Sequence, residues 1–416
     1  MPPIPDPLFR YLYLDMNSYF ASVEQQEDAA LRGRAVGIVT VDRPGAACIA
    51  ASYEAKCQGI GVGTRTQEAR AICPDIVFRP ARHDLYVEYH HRIREAVERV
   101  HPVDGTHSVD EFSCRLGGRD RPLAAAQALA EAIRESVTAQ VGVAMRCSIG
   151  LGPSRLLAKA AGEMHKPAGF DWLSPEVMPG KLKGFALRDL PGIGRNMERR
   201  LIAAGIRDVR GLWAMAPKHA RRVWNGVDGE RFLRALHGED IPDPATGTHS
   251  LGHSQILSGA NRNPEGARLV ARRLLIKAAT RVRRGGFFAT DLSVTVKRRD
   301  GGRASRRVSF AATQDSFTLL ESFARLWCSL PVHAPVHVGV MLGGLTDKAG
   351  HTADLFEERA SGEVSAREAL CAQVDALNQK YGQDTVIFGE RPAEIAPYTG
   401  AKIAFGRIPT AEEFHD

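Results

Sequence analysis

The chain has 416 residues, 44% of them hydrophobic and 25% charged. That composition excludes a disordered polymer or a fibre, and at roughly 100–200 residues per domain the length excludes a single small module. Lys and Arg number 55 against 48 Asp and Glu, a net charge of +7 that is only a weak bias towards an anionic partner when averaged over the chain.

The placement of that charge is uneven. Between Arg272 and Arg307 lie twelve Lys and Arg against two Asp, which leaves 43 basic and 46 acidic residues elsewhere. The excess belongs to one segment. Seven scattered cysteines (48, 57, 73, 114, 147, 328, 371) form no CxxC pair and suit reduced thiols in a cytosol better than a disulfide framework or a zinc site. The start, Met1-Pro2-Pro3-Ile4-Pro5, has no charged region leading into an apolar one, and no stretch approaches a membrane span. A cytoplasmic protein without a membrane partner is expected.

In chain order, Tyr11-Leu12-Tyr13-Leu14 reads as a buried strand with Asp15 at or just past its end, followed by a helix over 19–26. A strand over 35–41, a turn at Arg43-Pro44-Gly45, another strand from Cys48 and a helix opening at Glu54 lead into a small, turn-rich segment to about Pro80. Helical spacing returns over 85–100. The stretch 108–116 then alternates like a strand or hairpin carrying acids, 123–137 is an Ala-rich helix, 143–151 a strand, and 154–164 a helix. Beyond Pro175 the pattern is of short helices with Gly turns, and 238–249, with Pro242, Pro244 and Gly247, is the best linker. A helix (265–284), strands over 290–298 and 304–310, a helix (316–327) and a strand (336–345) compose an α+β domain holding the basic segment, and one more helix is expected over 366–381.

Three acids, Asp15, Asp110 and Glu111, sit on or beside strand-like apolar sequence. A carboxylate there must be paired, protonated or bound to a cation, because burial of an isolated charge is costly. As oxygen donors they suit Mg²⁺ or Mn²⁺. Taken one by one, each is more often a strand-end cap or an ion-pair partner than a catalytic group.

Their company selects between these readings. Asp15-Met16-Asn17-Ser18-Tyr19-Phe20, then Tyr53-Glu54-Ala55-Lys56, then Ser108-Val109-Asp110-Glu111, then Ser148-Ile149-Gly150-Leu151-Gly152-Pro153-Ser154 leading to Lys159 and Lys166-Pro167, resemble in order and spacing the Y-family (DinB/UmuC-type) translesion DNA polymerases, over about 10–358. The resemblance implies a multidomain α+β right hand: palm (9–18 and 82–173), fingers (19–81), helical thumb (174–241), linker (242–248), little finger (249–358) and a C-terminal tail (359–416). It also implies low-fidelity synthesis and bypass of damaged templates by a monomer. In that family Asp15 and Asp110 would bridge two Mg²⁺, with Glu111 on the ion nearest the primer 3′-hydroxyl and the Met16 carbonyl completing a coordination sphere. Tyr53, Lys56 and Lys166 would bind the dNTP triphosphate, and Phe20 would exclude a ribose 2′-hydroxyl. Two positions depart from the common pattern. Asn17 stands where many members have Asp, and Lys56 where many have Arg, which turns a bidentate phosphate contact into a point charge.

Pro191-Gly192-Ile193-Gly194 resembles the hairpin of a helix-hairpin-helix motif, in which Gly192 and Gly194 would let backbone N–H groups approach a phosphate of the primer-template DNA. Lys297, Arg298, Arg299, Arg303, Arg306 and Arg307 would offer a basic ribbon to the same backbone. Thr352-Ala353-Asp354-Leu355-Phe356 resembles a degenerate clamp-binding peptide, in which Leu355 and Phe356 would fill an apolar pocket of a sliding clamp; the pair reads equally as a two-residue apolar plug in a tail. A catalytically silent DNA-binding relative would use the same scaffold without needing all three acids. A metal-dependent nuclease would use the acids but not Tyr53, Lys56, Lys166 or Phe20.

Overall fold

The computed structural model describes residues 9–41, 45–242, 247–347, 358–382 and 384–390, with 358–365 described by backbone alone. The chain divides into two compact units that part between Asp243 and Pro244.

The first unit opens with β1 (Tyr11–Met16) and α1 (Tyr19–Glu27). Next come β2 (Val36–Val39), β3 (Cys48–Ala51), α2 (Tyr53–Lys56), α3 (Thr66–Ile72) and β4 (Val77–Pro80). The run continues through α4 (His83–Glu98), β5 (Gly105–Thr106), β6 (Glu111–Arg115), α5 (Leu123–Gln140), β7 (Cys147–Gly152), α6 (Arg155–Glu163) and β8 (Phe170–Trp172). A five-stranded sheet runs β5-β6-β1-β7-β8, and a small one β3-β2-β4. The expected helices are all present. The segment read as merely turn-rich holds α3 and β4, both too short for their periodicity to stand out, and Asp15 lies inside β1 rather than past it.

Alternation along β1 sorts its side chains onto two faces. Leu12, Leu14 and Met16, with Phe112, Ile149 and Leu151 beside them, join Ile93 and Val97 of α4 and Ile133 and Val137 of α5 in the main core. The other face carries Tyr11, Tyr13 and Asp15. Both tyrosines are buried there with Ala158 of α6. Helix α6 is capped by Ser154, whose hydroxyl accepts from Leu157 N at 3.2 Å, and it lies unusually close to β7. A Cβ at Gly150 would come within 2.0 Å of the Ala158 carbonyl oxygen, so only glycine allows this approach.

Beyond β8 the first unit is helical: α7 (Arg195–Ala203), α8 (Val209–Trp213), α9 (Pro217–Trp224) and α10 (Asp228–Leu236). They pack around Leu190, Ile193, Leu201, Leu212, Leu233 and Leu236.

The second unit contains β9 (Ser250–Ile256), α11 (Pro264–Arg284), β10 (Phe287–Arg298), β11 (Arg303–Thr313), α12 (Ser316–Cys328), β12 (Pro335–Gly343), β13 (Thr346–Asp347) and α13 (Glu358–Tyr381). Its antiparallel sheet runs β11-β10-β12-β9. Leu292, Val294, Val296, Val338 and Val340 bury one face against α11 and α12. Strand β9 escaped the sequence reading because it is polar along its length and alternates only in exposure. Helix α13 is part of this unit rather than an appendage. Asp375 pairs with Arg283 at 2.6 Å, and Cys371 is fully buried beside Asp315. Further contacts, Arg273 with Asp384 and Arg268 with Glu390, place acids against basic residues of α11. Among the described residues no helix is long and apolar enough to cross a membrane.

Candidate active site and basic sheet face

The three acids are neighbours through the register of the sheet. Asp15 of β1 lies directly opposite Glu111 of β6, and the next backbone bond runs from Met16 N to the Asp110 carbonyl at 2.9 Å. Opposite residues share a face, so Asp15 and Glu111 project to the side covered by α6.

That helix and the loop after it bring two ammonium groups. Lys166 Nζ lies 2.9 Å from Asp15 Oδ1 and 2.7 Å from Glu163, while Lys159 Nζ lies 2.5 Å from Glu111 Oε1. Tyr13 OH donates to the other Glu111 oxygen at 3.0 Å, and the Ser108 hydroxyl donates to Asp110. Lys159, Tyr13 and Ser108 were given no role on sequence grounds. Tyr13 could have been found by its position two residues before Asp15 on a strand, which puts both on one face.

Burial dominates the electrostatics. It raises the Asp15 carboxyl from 3.8 to about 7 against the pull of Lys166, with Asp110 adding to the rise. Asp110 is raised as well, by burial and by Glu111. At Glu111 burial acts in the same direction, but the bond and charge of Lys159 outweigh it and hold this carboxyl below its ordinary value. For Lys166, burial is more than offset by Asp15 and Glu163, which raise its pKa.

The donor set of two Asp, one Glu and a backbone carbonyl fits a hard divalent cation, and the raised Asp15 and Asp110 show more buried acid than the lysines neutralise. Among the described residues no three His, Cys, Asp or Glu side chains are already gathered as a cage. Both Glu111 oxygens are engaged by Tyr13 and Lys159 instead.

The residues expected around a polyphosphate converge on the same place. Lys56 Nζ sits 4.6 Å from the Tyr53 ring centroid. The Tyr53 hydroxyl is raised by burial and feels both Lys166 and Asp15. The Lys56 ammonium, exposed as its residue is, is lowered by its crowded surroundings and by the Lys166 charge. Phe20 is half-buried on α1, and its ring stacks on Tyr86 of α4 with centroids 4.3 Å apart.

In the helical segment Gly192 has φ +88°, a left-handed conformation that favours glycine, while Ile193 plugs the core and Gly194 caps α7. A Cβ at Gly194 would meet nothing within 4 Å, so its surface is open.

In the second unit, register separates the basic residues. Lys297 pairs with Arg303 and Ser293 with Arg307, all on the sheet face away from α11 and α12. Arg307 also reaches the buried Asp291 at 2.7 Å. Arg306 stands opposite Val294 and so belongs to the other face, which divides the expected single ribbon. Arg298 and Arg299 lie at the turn, Arg298 with Asp300 at 3.3 Å. The helical half of the basic segment is partly neutralised: Arg273 and Arg283 are paired with acids of the C-terminal segment. Leu355 and Phe356, the expected clamp plug, lie outside the described residues.

Comparison with known proteins gives the family and the fold. Residues 14–163 match the impB/mucB/samB family and residues 248–355 its C-terminal domain. DNA polymerase IV of Moorella thermoacetica is 34% identical over 95% of this chain and 98% of its own length. DNA polymerase IV of Pelotomaculum thermopropionicum is 29% identical over 90% and 94%. Among solved structures, the Y-family DNA polymerase chimera Dbh-Dpo4(243-245)-Dbh has the same fold, with a TM-score of 0.68 at 19% identity, over 81% of this chain and 99% of that one. The fold is the right hand of palm, fingers, thumb and little finger, and the chain belongs to the impB/mucB/samB family, the DinB-type Y-family DNA polymerases.

Proposed function

We propose that the chain adds deoxynucleoside monophosphates to a primer 3′-hydroxyl under template direction, with low fidelity and across damaged templates, releasing pyrophosphate. The observation that carries this reading is the cross-strand pairing of Asp15 with Glu111, with Asp110 bonded to the next residue, beneath Lys166. Residues 9–18 and 82–173 serve as palm, 19–81 as fingers, 174–241 as thumb and 249–358 as little finger.

Asp15, Asp110, Glu111 and the Met16 carbonyl would hold two Mg²⁺, or Mn²⁺ in their place. Bound there, the ions supply a lowered pKa at the primer hydroxyl and charge stabilisation at the leaving phosphate oxygen. The residues of the chain do the rest. Lys166, freed from Asp15, turns its ammonium to the triphosphate, where Lys56 and Tyr53 add a second charge and a hydroxyl. Lys159 and Tyr13 fix the orientation of Glu111. Phe20, held by Tyr86, closes the sugar side of the pocket to a 2′-hydroxyl.

Gly192 and Gly194 would hold primer-template DNA through backbone N–H groups, and Lys297, Arg298, Arg299, Arg303 and Arg307 through phosphate contacts. Leu355 and Phe356 would dock a sliding clamp. The test is extension of a primer past a defined template lesion by the purified monomer. Synthesis that requires both dNTP and Mg²⁺ supports the reading; degradation of DNA without nucleotides would favour a nuclease, and binding without synthesis a silent relative.

A further inference from the structure

We infer that Asn17 is a positioning residue for the incoming nucleotide: it ties the loop that carries Lys166 to the palm sheet and thereby sets where the Lys166 ammonium stands. The inference rests on the reading of Lys166 as a triphosphate contact.

Asn17 is 2% exposed and immobilised at every polar group. Its backbone N–H donates to the Arg146 carbonyl at 2.8 Å, and its own carbonyl accepts from Ser22 Oγ at 2.6 Å. The side chain then bridges two elements far apart in the chain. Its amide nitrogen donates to Ser148 Oγ of β7 at 2.9 Å, and its Oδ1 accepts from the Ala168 backbone N–H at 2.6 Å. Ala168 lies two residues past Lys166, in the loop between α6 and β8, and has φ +55°. A residue other than glycine keeps that left-handed conformation only where its surroundings impose it. The next carbonyl, that of Gly169, accepts from Arg134 of α5 and from Ile149 N.

The loop is thus gripped at two consecutive residues, Ala168 and Gly169, by side chains from the sheet end and from α5. Asn17 is also the first residue past the strand that carries Asp15, so one rigid segment positions both partners of the Lys166–Asp15 contact. Side chains anchored in this way on a strand end hold a reacting group more closely than a free loop does.

The experiment is steady-state incorporation by the full chain on a primer-template, comparing wild type with Asn17→Ala, Asn17→Asp, Ser148→Ala and Lys166→Ala. Asn17→Ala is expected to raise the KM for dNTP roughly three- to tenfold, the fold-change of one or two lost hydrogen bonds, with kcat within about twofold. Asn17→Asp keeps an acceptor for Ala168 N–H and for the Ser148 hydroxyl, so it should restore the KM. Ser148→Ala, a smaller change, should raise it in the same direction. In the Asn17→Ala/Lys166→Ala double variant the effect should not exceed that of Lys166→Ala alone. A raised KM in Lys166→Ala beside an unchanged one in Asn17→Ala and Ser148→Ala would overturn the inference, as would additive effects in the double variant. An unchanged KM in Lys166→Ala itself would instead overturn the nucleotide reading of Lys166.

Discussion

Asp15 and Glu111 face one another across β1 and β6, yet burial leaves one carboxyl raised to about 7 and a lysine 2.5 Å away holds the other below its ordinary value. Two adjacent buried acids cannot both stay ionised without cations beside them. The lysines neutralise part of this charge, and the remainder is what the divalent cations proposed for this cluster would offset.

Asp110→Ala should abolish primer extension, by about 10³-fold or more, while leaving primer-template affinity nearly unchanged. Single-turnover extension and a binding titration measure the two separately. Synthesis retained at the wild-type rate would remove Asp110 from the reacting centre.

The raised Asp15 carboxyl predicts a pH-dependent response to metal. The folded state holds this proton more tightly than the unfolded chain, so its contribution to stability is full below about pH 4 and is lost as the pH rises through about 7. A bound cation favours the carboxylate and reverses the loss. Mg²⁺ should therefore raise Tm more at about pH 8 than at about pH 5. Equal shifts at both would place the cation elsewhere.

Phe20→Ala should admit ribonucleotides, with discrimination against them falling on the order of tenfold or more. The same change removes a ring stacked on Tyr86 and should cost about 1–3 kcal/mol of stability. Unchanged sugar selectivity in a folded variant would show that another side chain guards the pocket.

Asp375→Ala should destabilise the second unit by about 3 kcal/mol, because it leaves the Arg283 guanidinium, 6% exposed, without its carboxylate. The Arg283→Met/Asp375→Ala double variant should recover much of that loss in thermal melts. A single variant that melts like wild type would show that α13 does not stabilise the domain.

Replacing Lys297, Arg303 and Arg307 together by Ala should weaken DNA binding and reduce the slope of log affinity against log salt by about three. Arg306→Ala, on the other face, should leave the slope nearly unaltered. Equal effects from all four would contradict the division of the faces.

Local pattern alone made the strand before Asp15, the helices from α1 to α12 other than α3, and the basic concentration near Arg272–Arg307 legible, since each depends on neighbours within one or two turns of chain. Motif spacing added the identities of Asp15, Asp110, Glu111, Tyr53, Lys56 and Lys166. Register was not available from spacing. Only strand pairing brings Glu111 opposite Asp15 and Arg303 opposite Lys297, because alternation assigns a face within one strand while the partner's alignment decides what lies across from it. The short or polar elements β4, β8 and β9 exist because neighbouring strands complete their hydrogen bonds. Likewise, nothing local marks α13 as part of a domain or gives Asn17 a task, since their partners, Arg283 and Ala168, are brought to them only by the fold.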